Sequence, residues 1–270
     1  MKFINIICLL VFILFGCQSN TSSNYSNSTL LPNASGENNE MLIVMDSTKF
    51  KGEIGRLLVG TYGSYIYGLP QPENNFDLIF IRPRNFNSIL KYAKNIVVAF
   101  SLEGNSLDSK ILRKEFNEKS IDKIKSDSSI FFFKRKDQYA KGQTILYLFS
   151  KTDSELINKI KKNKKMLLKY FQNEVSIRTS KKIFSKVEAN ISNKIFNDHR
   201  IKIKIPFGYD LAKNNNDFFW LRYLELDHEK NIFVYYEDYV DNKFRHFGDF
   251  VQEKNIEKIR KKISLKYLKD

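Results

Sequence analysis

Three short apolar runs limit how this chain can fold: "MLIVM" (Met41–Met45), "NIVVAFSL" (Asn95–Leu102) and "QTILYLFS" (Gln143–Ser150). Each has the length of a strand and ends on polar residues, whereas a helix needs a longer periodic pattern. "MLIVMD" reads as a buried strand closed by Asp46, and "FDLIFIRP" as a second, stopped by Pro83. Helical spacing appears between them. Ser47 or Thr48 can cap a helix carrying Phe50, Ile54, Leu57 and Leu58 on one side. A short helix is expected near Phe86 to Tyr92, and a charged one over Leu107 to Lys125 with Ile111, Leu112, Phe116, Ile121 and Ile124 inward.

"SIFFFKRK" adds a strand ahead of "QTILYLFS". Thr152 and Glu155 then fit a capping box. They open a long helix with Leu156, Ile160, Leu167, Tyr170 and Phe171 on one stripe, reaching about Phe184. "RIKIKIP" alternates, with Ile201, Ile203 and Ile205 on one side, and reads as a half-buried strand. "DFFWLRYLEL" and "NIFVYYEDY" make a β-hairpin with a loop longer than two residues. A helix through Ile256, Ile259, Ile263 and Leu265 ends the chain. The order predicts an α+β fold: a layered, mixed β-sheet with covering helices, then a C-terminal hairpin and helix. The folded region is expected over 41–270, divisible at 150/151.

The start of the chain has a different character. Lys2 precedes an apolar stretch, Phe3 to Phe15, that is too short for a bilayer-spanning helix of about 20 residues. A positive start, a short apolar core and a small residue, Gly16, make a secretory signal. Cys17 follows directly in "LFGCQSN". This resembles the bacterial lipobox, which has a leucine three before the cysteine and a small residue one before; Phe15 is bulkier than that signal favours. The resemblance implies cleavage before Cys17 and attachment of lipid to its sulfur. Acyl chains contribute about 0.8 kcal/mol per buried CH2, and two or more hold stably. Cys8, the only other cysteine, lies in the leader. Neither a disulfide nor a cysteine zinc site is then expected in the mature chain. Residues 17–40 continue as a polar tether with almost no charge, flexible by composition.

About 250 residues follow Cys17, enough for one large domain or two small ones with real cores. The chain carries a net charge of +15, and removal of a leader takes away only Lys2. Such an excess attracts anionic partners. A lipid-tethered, exported chain meets anionic lipid or an envelope protein rather than nucleic acid. Abundant Lys, Asn, Ile and Phe also fit A+T-rich codon usage, which supplies charge without a partner. The lysines around Lys162 and Lys165 on the long helix have both readings: a solvated face, or one that touches lipid head groups.

Several blocks together are similar to one family. They are "VMDSTKFKGEIGRLL" (Val44–Leu58), "GLPQPENNFDL" (Gly68–Leu78), "DQYAKGQ" (Asp137–Gln143), "IPFGYDLA" (Ile205–Ala212) and "NDFFWLR" (Asn216–Arg222). Behind a lipobox they resemble the bacterial lipoproteins grouped as domain of unknown function 4837, across nearly the whole mature chain. That family brings no activity and no catalytic residues. Its members continue into a further glycine-rich segment, so the resemblance implies a shortened member.

Catalytic signatures are absent from the sequence. His199, His228 and His246 have no HExxH spacing, and no G-x-S-x-G elbow or phosphate-cradling glycine loop occurs. No metal or cofactor is expected. Asp46, Glu53 and Asp77 are candidates for paired carboxylates, the basis of an alternative reading as an envelope hydrolase. The better binding candidate is the hairpin strand. Alternation puts Phe218, Trp220, Arg222 and Leu224 on one face. Arg222 can form a cation–π pair with Trp220 or grip a carboxylate or phosphate with its planar fork. The competing arrangement buries Trp220 in the core and pairs Arg222 with an internal acid. The expected function is that of a membrane-anchored envelope lipoprotein with a binding or structural role.

Overall fold

The computed structural model describes residues 31–69, 71–237 and 253–268. The leader, Cys17, residues 18–30 of the expected tether and His246 lie outside them. The fold is α+β. The chain divides into two compact units, Met1–Val175 and Ser176–Asp270. The division falls inside the long helix rather than at residue 150.

The first unit is a five-stranded sheet. Its strands are β1 (Glu40–Met45), β2 (Asp77–Ile81), β3 (Asn95–Ser101), β4 (Phe132–Lys136) and β5 (Thr144–Ser150), in the order β2-β1-β3-β5-β4. All neighbours are parallel except the edge strand β4, which runs antiparallel to β5. The apolar runs are continuous because helices cover both faces of the sheet. Met41, Ile43 and Met45 face α2 (Glu53–Tyr62) and the long helix α5 (Asp153–Ile183). Leu42 and Val44 face α3 (Leu107–Lys114) and α4 (Glu118–Ser126). Leu156, Ile160, Leu167 and Phe171 of α5 are all fully buried, as their spacing requires.

Local chemistry departs from expectation at several joints. The cap of the short helix α1 (Ser47–Lys51) is Asp46, which accepts from the Thr48 and Lys49 amides at 2.8 and 3.3 Å. The charged stretch 107–125 is two helices, because Asn117 caps a new one by accepting from the Ser120 amide at 2.9 Å. The expected helix near Phe86 is reduced to single turns at Pro83–Asn85 and Leu90–Tyr92. The stretch read as tether is ordered from Pro32 onward. Its backbone bonds to Lys141 and to Tyr92, and the buried Asn95 amide donates to the Asn38 and Glu40 carbonyls at 2.9 and 2.8 Å. Backbone pairing, which composition does not report, holds this strap against the amino end of the sheet.

The second unit holds α6 (Ala189–His199), a sheet β6 (Asp210–Asn215)–β7 (Phe218–Leu224)–β8 (Glu229–Tyr235), and α7 (Glu253–Tyr267). The hairpin β7–β8 is as expected. The stretch "RIKIKIP" is not a strand: only Val187 bridges to Pro206, so no ladder forms. Its isoleucines still turn inward, where Ile205 joins Ile195, Phe219 and Leu221 in a small core.

Candidate binding site

In an open α/β sheet the expected ligand crevice lies beyond the carboxyl ends of the strands, where the order reverses. Here the chain goes from β1 to β2 on one side and then crosses to β3 on the other. The reversal therefore lies between Asp46 and Ser101. Polar side chains from five segments converge there. Asp46 is 4% exposed and accepts on its second carboxylate oxygen from Ser106 and, at 3.3 Å, from Ser109. Lys49 donates to Ser101 at 2.9 Å and pairs with Asp153, and the Ser101 hydroxyl donates to Asp153 at 2.6 Å. Behind them the buried Asp108 holds Arg84 at 2.9 Å. Burial alone would raise the pKa of Asp46. Hydrogen bonds from Ser106, the Lys49 and Thr48 amides and Ser109 outweigh it and hold the carboxyl below its ordinary range.

Asp46, Ser101, Asp108 and Ser109 are buried, while Ser106 is exposed and Asp153 and Arg84 keep 34% and 47% of their side-chain surface in solvent. Ser101 has no solvent exposure. A Cβ on Gly104 would lie 2.4 Å from Ser109 Oγ, so the loop packs directly on that serine. The groups satisfy one another and join β1, β3, α3 and α5. The position that binds ligands in related architectures is here a polar lock. Sequence reasoning singled out Asp46 alone; the other signal was that Ser101 and Ser150 also directly end apolar strands. The three candidate carboxylates do not meet. Glu53 pairs with Lys161 at 2.5 Å, and Asp77 accepts from Asn39 at 2.8 Å.

The second unit is built differently. Its sheet buries one face, through Phe219 and Leu221, and on the other aligns Phe218, Trp220, Arg222 and Leu224, as alternation requires. At one end of this second face Tyr267 of α7 stacks on Phe218, with ring centroids 4.3 Å apart. Trp220 is not in the core, contrary to the commoner arrangement for a lone tryptophan. It is half-buried, its indole N–H donates to Asn231 at 2.6 Å, and Phe233 lies 5.4 Å away at 42% exposure. Arg222 sits over the Trp220 ring at 5.8 Å. Among the described residues its guanidinium has no hydrogen-bond acceptor, and its Nε is shielded from solvent. Asp210 is its register partner on β6, yet the two form no ion pair. The internal acid expected for Arg222 is therefore not found among the described residues.

Below the opposite face lies His199, only 8% exposed. The Asn214 amide donates to Asp198 at 2.6 Å, which turns its carbonyl oxygen to His199 Nε2 at 2.6 Å. The Tyr236 hydroxyl donates to the Asn216 carbonyl, and His199 Nδ1 meets its oxygen at 2.9 Å. Both ring nitrogens thus face acceptors, which ties α6 to β6 and to the end of β8. Among the described residues no group of three or more His, Cys, Asp or Glu could hold a metal ion, and no helix is long and apolar enough to cross a membrane.

Comparison with known families divides the chain near the end of α5. Domain of unknown function (DUF8532) matches residues 34–184, more than half of the chain, and Domain of unknown function (DUF4837) matches residues 188–269. The DUF4837 likeness, expected across nearly the whole mature chain, is thus limited to the second part. The blocks "IPFGYDLA" and "NDFFWLR" carry it, while the three earlier blocks fall in the other match. No curated protein and no solved structure matches the chain.

Proposed function

This chain belongs to the family of Domain of unknown function (DUF8532), a premise that brings no activity with it, and we propose from its own residues that it is an exported, lipid-anchored protein of the cell envelope that binds an anionic ligand. The anchor is Cys17, behind the short apolar leader.

One observation carries the binding reading: Arg222 is held over Trp220 on a partly open sheet face with no described acceptor. A guanidinium fork without a carboxylate suits a carboxylate or phosphate in bidentate geometry. Trp220 and Phe233 beside it offer flat apolar area to the rest of the ligand. Leaving the shielded Nε without an acceptor costs stability that a ligand accepting from it recovers on binding. The test is a photo-reactive amino acid in place of Leu224, on the same face and 57% exposed, in cells that make the full chain. Illumination should give a discrete adduct that Arg222→Ala abolishes and Arg222→Lys weakens, because lysine lacks the planar fork. An adduct indifferent to both substitutions, or none at all, would remove the reading.

A further inference from the structure

A different feature lies in the first unit, where α3 and α4 meet at Phe116. The break that starts α4 leaves a groove of about 570 Å3 between the two helices. That volume is within the range of small-molecule sites, about 300–1,000 Å3. Its floor is apolar. Phe116 packs at 4.8 Å on Phe100 and at 5.5 Å on Phe133, and Ile121 extends that floor along α4. A second hollow of about 380 Å3, lined by Phe133 and Arg135, adjoins across Phe116.

The two walls carry opposite characters. The α3 wall presents Lys110, Arg113 and Lys114. Lys110 and Lys114 stand one turn apart, a spacing at which like charges repel. Neither has an ion-pair partner among the described residues, and Arg113 gives Nη2 to the Gly104 carbonyl while its Nε lacks an acceptor. The α4 wall presents Glu118, Asp122 and Lys125. Asp122 is taken by Lys125 at 3.4 Å, and Glu118 lies in the first turn of α4, where the helix dipole favours it. The groove's carboxylates are thus already placed, whereas Lys110, Lys114 and the Arg113 Nε have no partner among the described residues.

We propose that this groove binds a single-chain amphiphile with an anionic head. The head lies against Lys110, Arg113 and Lys114, and the chain runs over Ile121 and Phe116. The inference stands apart from the Trp220–Arg222 face and from lipidation of Cys17.

The experiment uses residues 17–270 carrying Cys17→Ser, which keep every described residue and remove the acceptor for lipid. Dodecyl phosphate, below its micelle concentration, is titrated calorimetrically against this protein, with dodecyltrimethylammonium and dodecyl maltoside as cationic and neutral controls. Saturable binding of one dodecyl phosphate is expected, with neither control binding at the same concentrations. The exposed pair Lys110→Glu and Lys114→Glu together should weaken binding about tenfold or more, a loss of about 1.4 kcal/mol or more. Ile121→Asp should weaken it as well, and Arg222→Ala should leave it unchanged. No saturable binding, equal binding of the neutral or cationic amphiphile, or full affinity in the Lys110→Glu/Lys114→Glu protein would overturn the proposal.

Discussion

Two glycines on one helix separate packing from propensity. A Cβ at Gly55 of α2 would stand 1.7 Å from the Phe50 carbonyl oxygen, a backbone atom that no side-chain rotation can clear. Gly55→Ala should therefore cost about 1–3 kcal/mol or more, as overpacking does. Gly60, five residues on and exposed, has nothing within 4 Å of the same construction. Gly60→Ala should raise stability by about 0.4–1 kcal/mol through the unfolded state. Urea midpoints of the two variants check the pair, and a neutral Gly55→Ala would contradict the close approach. Asp46 adds a pH dependence. Its folded pKa is depressed, so its contribution is fully present above the unfolded value of about 3.9. That contribution disappears as pH falls through the lower folded value. Urea unfolding from pH 5 to pH 2 should show this loss, and Asp46→Asn should flatten it; an unchanged profile would mean that the bonds from Ser106 and Ser109 do not form. Trp220 shows the limit of sequence at this scale. Alternation placed it on the right face, but burial depends on what covers that face, and α7 covers only the Phe218 end.

Among the elements, those whose residues carry the whole signal were legible. β1, β3 and β5 are apolar throughout because helices bury both faces, and α5 keeps its stripe over its buried length. Elements that depend on a neighbour were not. β6, "DLAKNN", is polar and exists because β7 offers it a ladder. "RIKIKIP" has the pattern of a strand and no strand beside it. α6 went unread because its asparagines favour turns over helix interiors. The strap over 32–39 belongs to the same class: a polar sequence held by partners far along the chain. Its clamp is testable. Asn95→Ala removes two bonds to the Asn38 and Glu40 carbonyls and should cost about 1–3 kcal/mol. Amide exchange at Ala34 and Ser35 should quicken while the β3–β5 ladder stays protected. Unchanged exchange in the strap would show that its main-chain bonds suffice alone.

For the whole molecule, sequence conveyed the α+β class and the face carrying Trp220 and Arg222, but neither the position of the division nor the polar network around Asp46. Both depend on contacts between distant segments. The proposed lipid anchor belongs to this scale too: in cells fed an alkyne fatty acid, Cys17→Ala should lose all label, and retained label would contradict attachment there. The central claim is that the second unit presents an open, anion-attracting face. Trp220 is the only tryptophan in the chain, so its fluorescence reports on that face alone. The measurement is quenching by iodide against caesium at equal ionic strength, on residues 17–270 with Cys17→Ser. Arg222 concentrates anions beside the ring. Iodide should therefore quench clearly more than caesium, and Arg222→Ala should erase the difference. Equal quenching by the two ions, or none by either, would contradict the account.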